Sequence, residues 1–104
     1  MTDFKQGIKD ILSSRDLYEQ LAEESAELAK AALKVIRASG MTKNVTPVSM
    51  DDAWDSLVEE VRDVLIVLEA LGFNIYVEAD WARASGKWER WYRRISDGEE
   101  HHPE

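Results

Sequence analysis

Leu21-Ala22-Glu23-Glu24-Ser25-Ala26-Glu27-Leu28-Ala29-Lys30 lies inside a run, residues 14–38, that holds neither Gly nor Pro. Ala, Leu, Glu and Lys dominate the run, and these residues lose little side-chain freedom in a helix. Leu17, Leu21, Leu28, Ala32 and Val35 recur at helical spacing and predict one apolar stripe along a long helix. Gly40 then supplies a C-terminal stop. Residues 39–49, Ser-Gly-Met-Thr-Lys-Asn-Val-Thr-Pro-Val-Ser, are rich in turn formers and read as a loop. Ser49, with Asp52 three residues later, resembles a helix capping box with Asp in place of Glu. It opens a second long helix to about residue 70, striped by Trp54, Leu57, Val61, Val64, Leu65 and Leu68, and Gly72 ends it.

Outward from this pair, Phe4, Ile8 and Ile11 predict a short amphipathic helix before Ser13-Ser14. Ile75, Ala79, Ala82, Trp88, Tyr92 and Ile95 predict a last helix, bent at Gly86. No segment alternates apolar and polar residues as a half-buried strand would. The expectation is an all-α bundle of about four helices, one domain over residues 1–96 with a polar tail over 97–104.

Composition narrows the chemistry. The chain has 104 residues, 44% hydrophobic and 33% charged, as a soluble globular domain has. Thirteen basic against 21 acidic residues give a net charge of −8, which argues against coating a nucleic-acid polymer. No run approaches the roughly 18–20 apolar residues of a membrane span. The start, Met1-Thr2-Asp3-Phe4-Lys5, lacks the basic-then-apolar pattern of a signal peptide. The expectation is a cytoplasmic protein without membrane contact. The absence of cysteine removes disulfides, thiolate metal sites and cysteine nucleophiles. The only histidines, His101 and His102, lie in the tail. Carboxylates, Lys, Arg, hydroxyls and aromatics remain.

The carboxylates are patterned. Residues 21–28 read Leu-Ala-Glu-Glu-Ser-Ala-Glu-Leu, and residues 57–64 read Leu-Val-Glu-Glu-Val-Arg-Asp-Val. At a constant offset of 36, each has an apolar residue, two consecutive Glu, a third carboxylate three further on and then another apolar residue. A helix turns about 100° per residue, so Glu24 and Glu60 fall beside the apolar stripe in both copies, with Glu27 and Asp63 one step further round. Antiparallel packing would let the two carboxylate pairs face one another. Four such groups repel unless a proton or a cation intervenes. An all-oxygen donor set without His or Cys suits Mg²⁺, Mn²⁺ or Ca²⁺. Glu23 and Glu59 fall toward the outer edge, where a solvated surface role is the simpler reading, although Glu23 could reach a second metal.

Five of the thirteen basic residues lie between Arg83 and Arg94. Lys87, Arg90 and Arg94 share one helical face, which is either a solvated face paired to Glu89 and its neighbours or a clamp for phosphate.

Glu23-Glu24-Ser25-Ala26-Glu27 followed by Glu60-Val61-Arg62-Asp63 resembles the Glu-Glu-x-x-Glu … Glu-x-x-Asp signature of the MazG-like, all-α nucleoside triphosphate pyrophosphohydrolases. Lys87-Trp88-Glu89-Arg90-Trp91-Tyr92 is similar to that family's Lys-aromatic-x-Arg segment. Some members carry an Asn a few residues earlier, where this chain has Arg83-Ala84-Ser85-Gly86. The resemblance spans residues 14–95. It implies that Glu24, Glu27, Glu60 and Asp63 hold Mg²⁺, with Mn²⁺ as a substitute, and that Glu23 is an accessory carboxylate. It implies that Lys87, with Arg90 or Arg94, contacts the triphosphate. Glu27 and Glu23 are the candidates for the general base. The implied reaction cleaves a nucleoside triphosphate between the α and β phosphates. The implied assembly is a homodimer or a dimer of dimers (a homotetramer), for which Trp54, Ile66, Trp81 and Trp91 are outward anchors. The competing expectation is a helical interaction protein, or a nucleotide- or metal-binding module without turnover.

Overall fold

The computed structural model describes residues 2–44, 47–74 and 80–100. Among them the chain is helical, with four helices and no strand: α1 (Phe4–Ile11), α2 (Ser14–Ala38), α3 (Met50–Ala70) and α4 (Trp81–Glu100). No helix among the described residues is long and apolar enough to cross a membrane. The chain divides into two compact units, Met1–Phe73 and Asn74–Glu104, and each is described by itself.

Local chemistry sets the helix ends. Asp3 caps α1, its Oδ1 accepting from the Gln6 N–H at 3.0 Å. Ser13 caps α2 with a complete capping box, its hydroxyl accepting from the Asp16 N–H while the Asp16 carboxylate accepts from the Ser13 N–H at 2.9 Å. The Ser13 N–H, and the Ser13 hydroxyl that also donates to Asp16 Oδ2 at 2.9 Å, hold the Asp16 carboxyl below the ordinary carboxylate range. Ser49 caps α3 by accepting from the Asp52 N–H at 3.1 Å. Gly40 (φ 78°) and Gly72 (φ 93°) take the left-handed conformation just past α2 and α3, which a Cβ would strain. At the second of these, Phe73 N–H bonds Leu68 C=O and Gly72 N–H bonds Glu69 C=O, so the last carbonyls of α3 are satisfied as in a Schellman motif. Ser13→Ala removes the acceptor for one N–H of the first turn of α2. It is expected to lower the melting temperature by about 4–8 °C, measured by circular dichroism.

Helices α2 and α3 make the principal contact of the first unit. Lys5 Nζ of α1 meets Glu69 Oε1 at the far end of α3, 2.8 Å away. The C-terminus of α3 therefore lies near the start of α2, and the two long helices run antiparallel. The Lys5–Glu69 pair is more than half exposed and orients α1 more than it stabilises it. Lys5, Ile8, Ile66, Glu69 and Ala70 line a hollow of about 100 Å³.

The contact seam differs from the predicted stripes. Its positions are Leu17, Leu21, Glu24, Leu28, Ala31 and Val35 on α2, and Ala53, Leu57, Glu60, Val64 and Val67 on α3, all buried or half-buried. Both rows alternate steps of four and three, the spacing that keeps one stripe facing a partner helix. Ala31, not Ala32, is the buried alanine; Ala32 is exposed. On α3, Trp54, Val61 and Leu65 are exposed and Ala53 and Val67 take their place. The reason is that α3 carries two neighbouring apolar rows, and only the one with small Ala53 lies against α2. Among the described residues the buried apolar ones are Leu17, Ala31, Ala53 and Val67, and no large side chain is fully buried.

Helix α4 runs unbroken through Gly86, where a bend was expected, and on to Glu100, past the predicted start of the tail at residue 97. Its first turn is met by Asp80, whose Oδ1 accepts from the Arg83 N–H at 3.2 Å. The predicted helix positions Ile75 and Ala79, the side chain of Trp81 and the tail with His101 and His102 lie outside the described residues.

Candidate metal centre

The two copies of the acidic motif meet at the middle of the α2–α3 hairpin. One carboxylate oxygen each from Glu24, Glu60 and Asp63 lie within 4.8 Å of one another. All three residues are half-buried. Glu24 and Glu60 stand in the apolar seam itself, closer to the helix contact than the predicted place beside it. They are held there because Leu21 and Leu28 flank Glu24, and Leu57 and Val64 flank Glu60, on the same row.

The electrostatics follow from this crowding. The Glu60 carboxyl is pushed above the ordinary glutamate range. Desolvation by its neighbours is the largest cause, followed by the like charges of Asp63, Glu24, Glu27 and Glu59. Glu60 thus feels every member of the predicted ligand set.

Glu27 is placed differently from the other three. Its side chain is about half exposed, and its Oε1 accepts from Lys30 Nζ at 3.3 Å. The structure does not bring its oxygens into the tight group of three. An exposed i,i+3 pair holds a side chain loosely, so Glu27 is tethered beside the cluster and not locked. Glu23 and Glu59 are exposed.

One positioning residue escaped the sequence reading. Gln20 Nε2 donates to Glu24 Oε1 at 2.8 Å from one turn earlier on α2. Its half-buried counterpart at the offset of 36 is Ser56. A polar residue four before a carboxylate on the same helix face was the available signal.

The donor set fits a hard divalent cation. Two oxygens bound to one such ion at about 2.0–2.6 Å lie at most about 4–5 Å apart, and the three here, within 4.8 Å of one another, fall inside that limit. Glu24, Glu60 and Asp63 would hold it, leaving the remaining positions to water or to phosphate oxygens.

Lys87, Arg90 and Arg94 belong to the second unit and are exposed along one face of α4. Arg93 takes the ion pair with Glu89, at 2.9 Å, and Arg83 approaches Asp80. Among the described residues no carboxylate pairs with Lys87, Arg90 or Arg94. Trp88 and Trp91 stack beside them, ring centroids 5.9 Å apart and planes 16° from parallel. In comparisons with known proteins, no family model, no curated protein and no solved structure matches this chain.

Proposed function

We propose that the protein is a Mg²⁺-dependent nucleoside triphosphate pyrophosphohydrolase that releases a nucleoside monophosphate and pyrophosphate. The observation that carries this reading is the convergence of Glu24, Glu60 and Asp63 from two helices, in a motif repeated at one offset. Carboxylates so crowded, with Glu60 already pushed toward its neutral form, call for a cation at neutral pH.

In this reading Glu24, Glu60, Asp63 and, by rotation away from Lys30, Glu27 hold Mg²⁺ or Mn²⁺. A divalent ion held there would supply charge neutralisation for the triphosphate and a more acidic bound water. Gln20 keeps Glu24 oriented through its hydrogen bond. Glu27 and Glu23 are the two proton acceptors offered to an attacking water. Lys87, Arg90 and Arg94, free of carboxylate partners among the described residues, supply positive charge for the departing pyrophosphate. The assembly under the same reading is a dimer or a dimer of dimers, and its place is the cytoplasm.

The test is pyrophosphate release from a panel of natural and modified nucleoside triphosphates, with Mg²⁺ and with chelator. Release is expected with Mg²⁺ and none with chelator. No release from any member by the folded, metal-supplied protein would refute catalysis and leave a binding or interaction module.

A further inference from the structure

Gly86 stands in the interior of α4, and after proline glycine is the poorest helix former. The fold does not need it there. Helix α4 continues through residue 86, and Gly86 is not among the residues with positive φ, so its backbone would accept an alanine. What the missing side chain provides is room. A Cβ on residue 86 would stand 3.2 Å from Nη1 of Arg90, inside the separation of about 3.5–4.0 Å at which carbon atoms ordinarily meet. The Arg90 guanidinium folds back one turn and lies over the bare backbone of Gly86.

The sequence explains why it goes there. On a helix the neighbours of residue 90 are residues 86, 87, 93 and 94. Three are cations, Lys87, Arg93 and Arg94, and the fourth is Gly86. Like charges at these spacings repel, so the guanidinium turns to the one neighbour with neither charge nor side chain. None of the four is a carboxylate, whereas Arg93 has Glu89 one turn away and pairs with it at 2.9 Å. The fold-back also changes what Arg90 reaches. Its Cα lies three residues past Lys87, about 4.5 Å along the axis, but residue 86 is one residue before Lys87, about 1.5 Å. Seated over Gly86, the guanidinium comes close to the level of Lys87.

We infer that Gly86 is a positioning residue: by lacking a side chain it seats the Arg90 guanidinium level with Lys87, so that the two cations grip adjoining phosphates of one polyphosphate chain. This deepens the phosphate-binding part of the proposed function and rests on it. The two heads are complementary for such a ligand. The guanidinium offers paired, planar donors to two oxygens of one phosphate, and the ammonium offers a compact charge to the next. With the seat filled, Arg90 would lose its held direction while keeping its charge.

The test is calorimetric titration of inorganic pyrophosphate, with Mg²⁺, into the full chain as wild type, Gly86→Met, Arg90→Ala and the double variant. Methionine is a good helix former, carries no charge and is long enough to fill the seat. Gly86→Met is expected to weaken pyrophosphate binding about tenfold, the worth of one hydrogen bond to a charged group. Arg90→Ala should cost at least as much. The double variant should bind no more weakly than Arg90→Ala, because Gly86 acts only through Arg90. Gly86→Ala asks Nη1 to give by only a few tenths of an ångström, and its loss should fall between wild type and Gly86→Met. Both substitutions of Gly86 should raise helicity by circular dichroism, so binding falls while the helix becomes firmer, which damage to the fold would not produce. Wild-type affinity in Gly86→Met, or an equal loss from Gly86→Met with and without Arg90, overturns the inference. Wild-type affinity in Arg90→Ala, with pyrophosphate still released from nucleoside triphosphates, overturns the seat and leaves the proposed reaction standing. No pyrophosphate binding and no release by the wild type overturn both.

Discussion

Glu60→Gln is expected to abolish pyrophosphate release by at least about a hundredfold while raising the melting temperature of the metal-free protein. The loss follows from removing a central ligand, because charge neutralisation by a bound ion accounts for several powers of ten in phosphate chemistry. The gain follows from the same geometry. Glu60 is surrounded by Asp63, Glu24, Glu27 and Glu59, and its ionised form is disfavoured. An amide keeps the shape and removes the repulsion. Opposite signs for activity and stability are the signature of a site that trades folding stability for cation binding. Steady-state turnover and a thermal melt with chelator read the two effects. A variant that melts lower, with turnover intact, would place Glu60 as an ordinary seam residue.

The second large effect is metal and pH dependence of the melt. A cation that binds only the folded state at a hundredfold excess over its dissociation constant stabilises by about 2.7 kcal/mol. For a domain of this size that raises the melting temperature by about 10–20 °C. Mg²⁺ is expected to do this for the wild type and for Glu23→Gln, and to do little for Glu60→Gln or Asp63→Asn. Without metal, the pH dependence has a definite sign. Glu60 is pushed up on folding, so its contribution is present at low pH and is lost as pH rises through the raised value. Asp16 and Glu69 are pulled down, by Ser13 and by Lys5, so theirs are present near neutrality and are lost as pH falls through their lowered values. The metal-free melt should therefore rise as pH falls from neutrality toward the upper edge of the carboxylate range, and drop below it. Saturating Mg²⁺ should remove the rise and leave the drop.

Much of this was legible in the sequence because its signals are local. Gly40 and Gly72 mark the ends of α2 and α3 where left-handed backbone is required. Ser49 with Asp52 marks the start of α3. The repeated acidic words made the Glu24–Glu60–Asp63 meeting an expectation before any coordinate. What was not legible depends on the partner helix. Ala31 and Ala32 are equally apolar, and only the approach of α3 decides which is buried. Trp54 fell both on the α3 stripe by spacing and among the outward anchors; it is exposed because the closer row is led by Ala53. The place of Glu27 turned on a side-chain choice, toward Lys30 and away from the cluster, that spacing does not encode. The basic face of α4 was readable as a face, with Arg93 and not its neighbours taking Glu89.

The most direct test of the account is anomalous diffraction from crystals grown with Mn²⁺. The account predicts a peak between α2 and α3, about 2 Å from carboxylate oxygens of Glu24, Glu60 and Asp63, absent from Glu60→Gln crystals. Well-ordered carboxylates with no peak at saturating Mn²⁺, or a peak held by other residues alone, would contradict it.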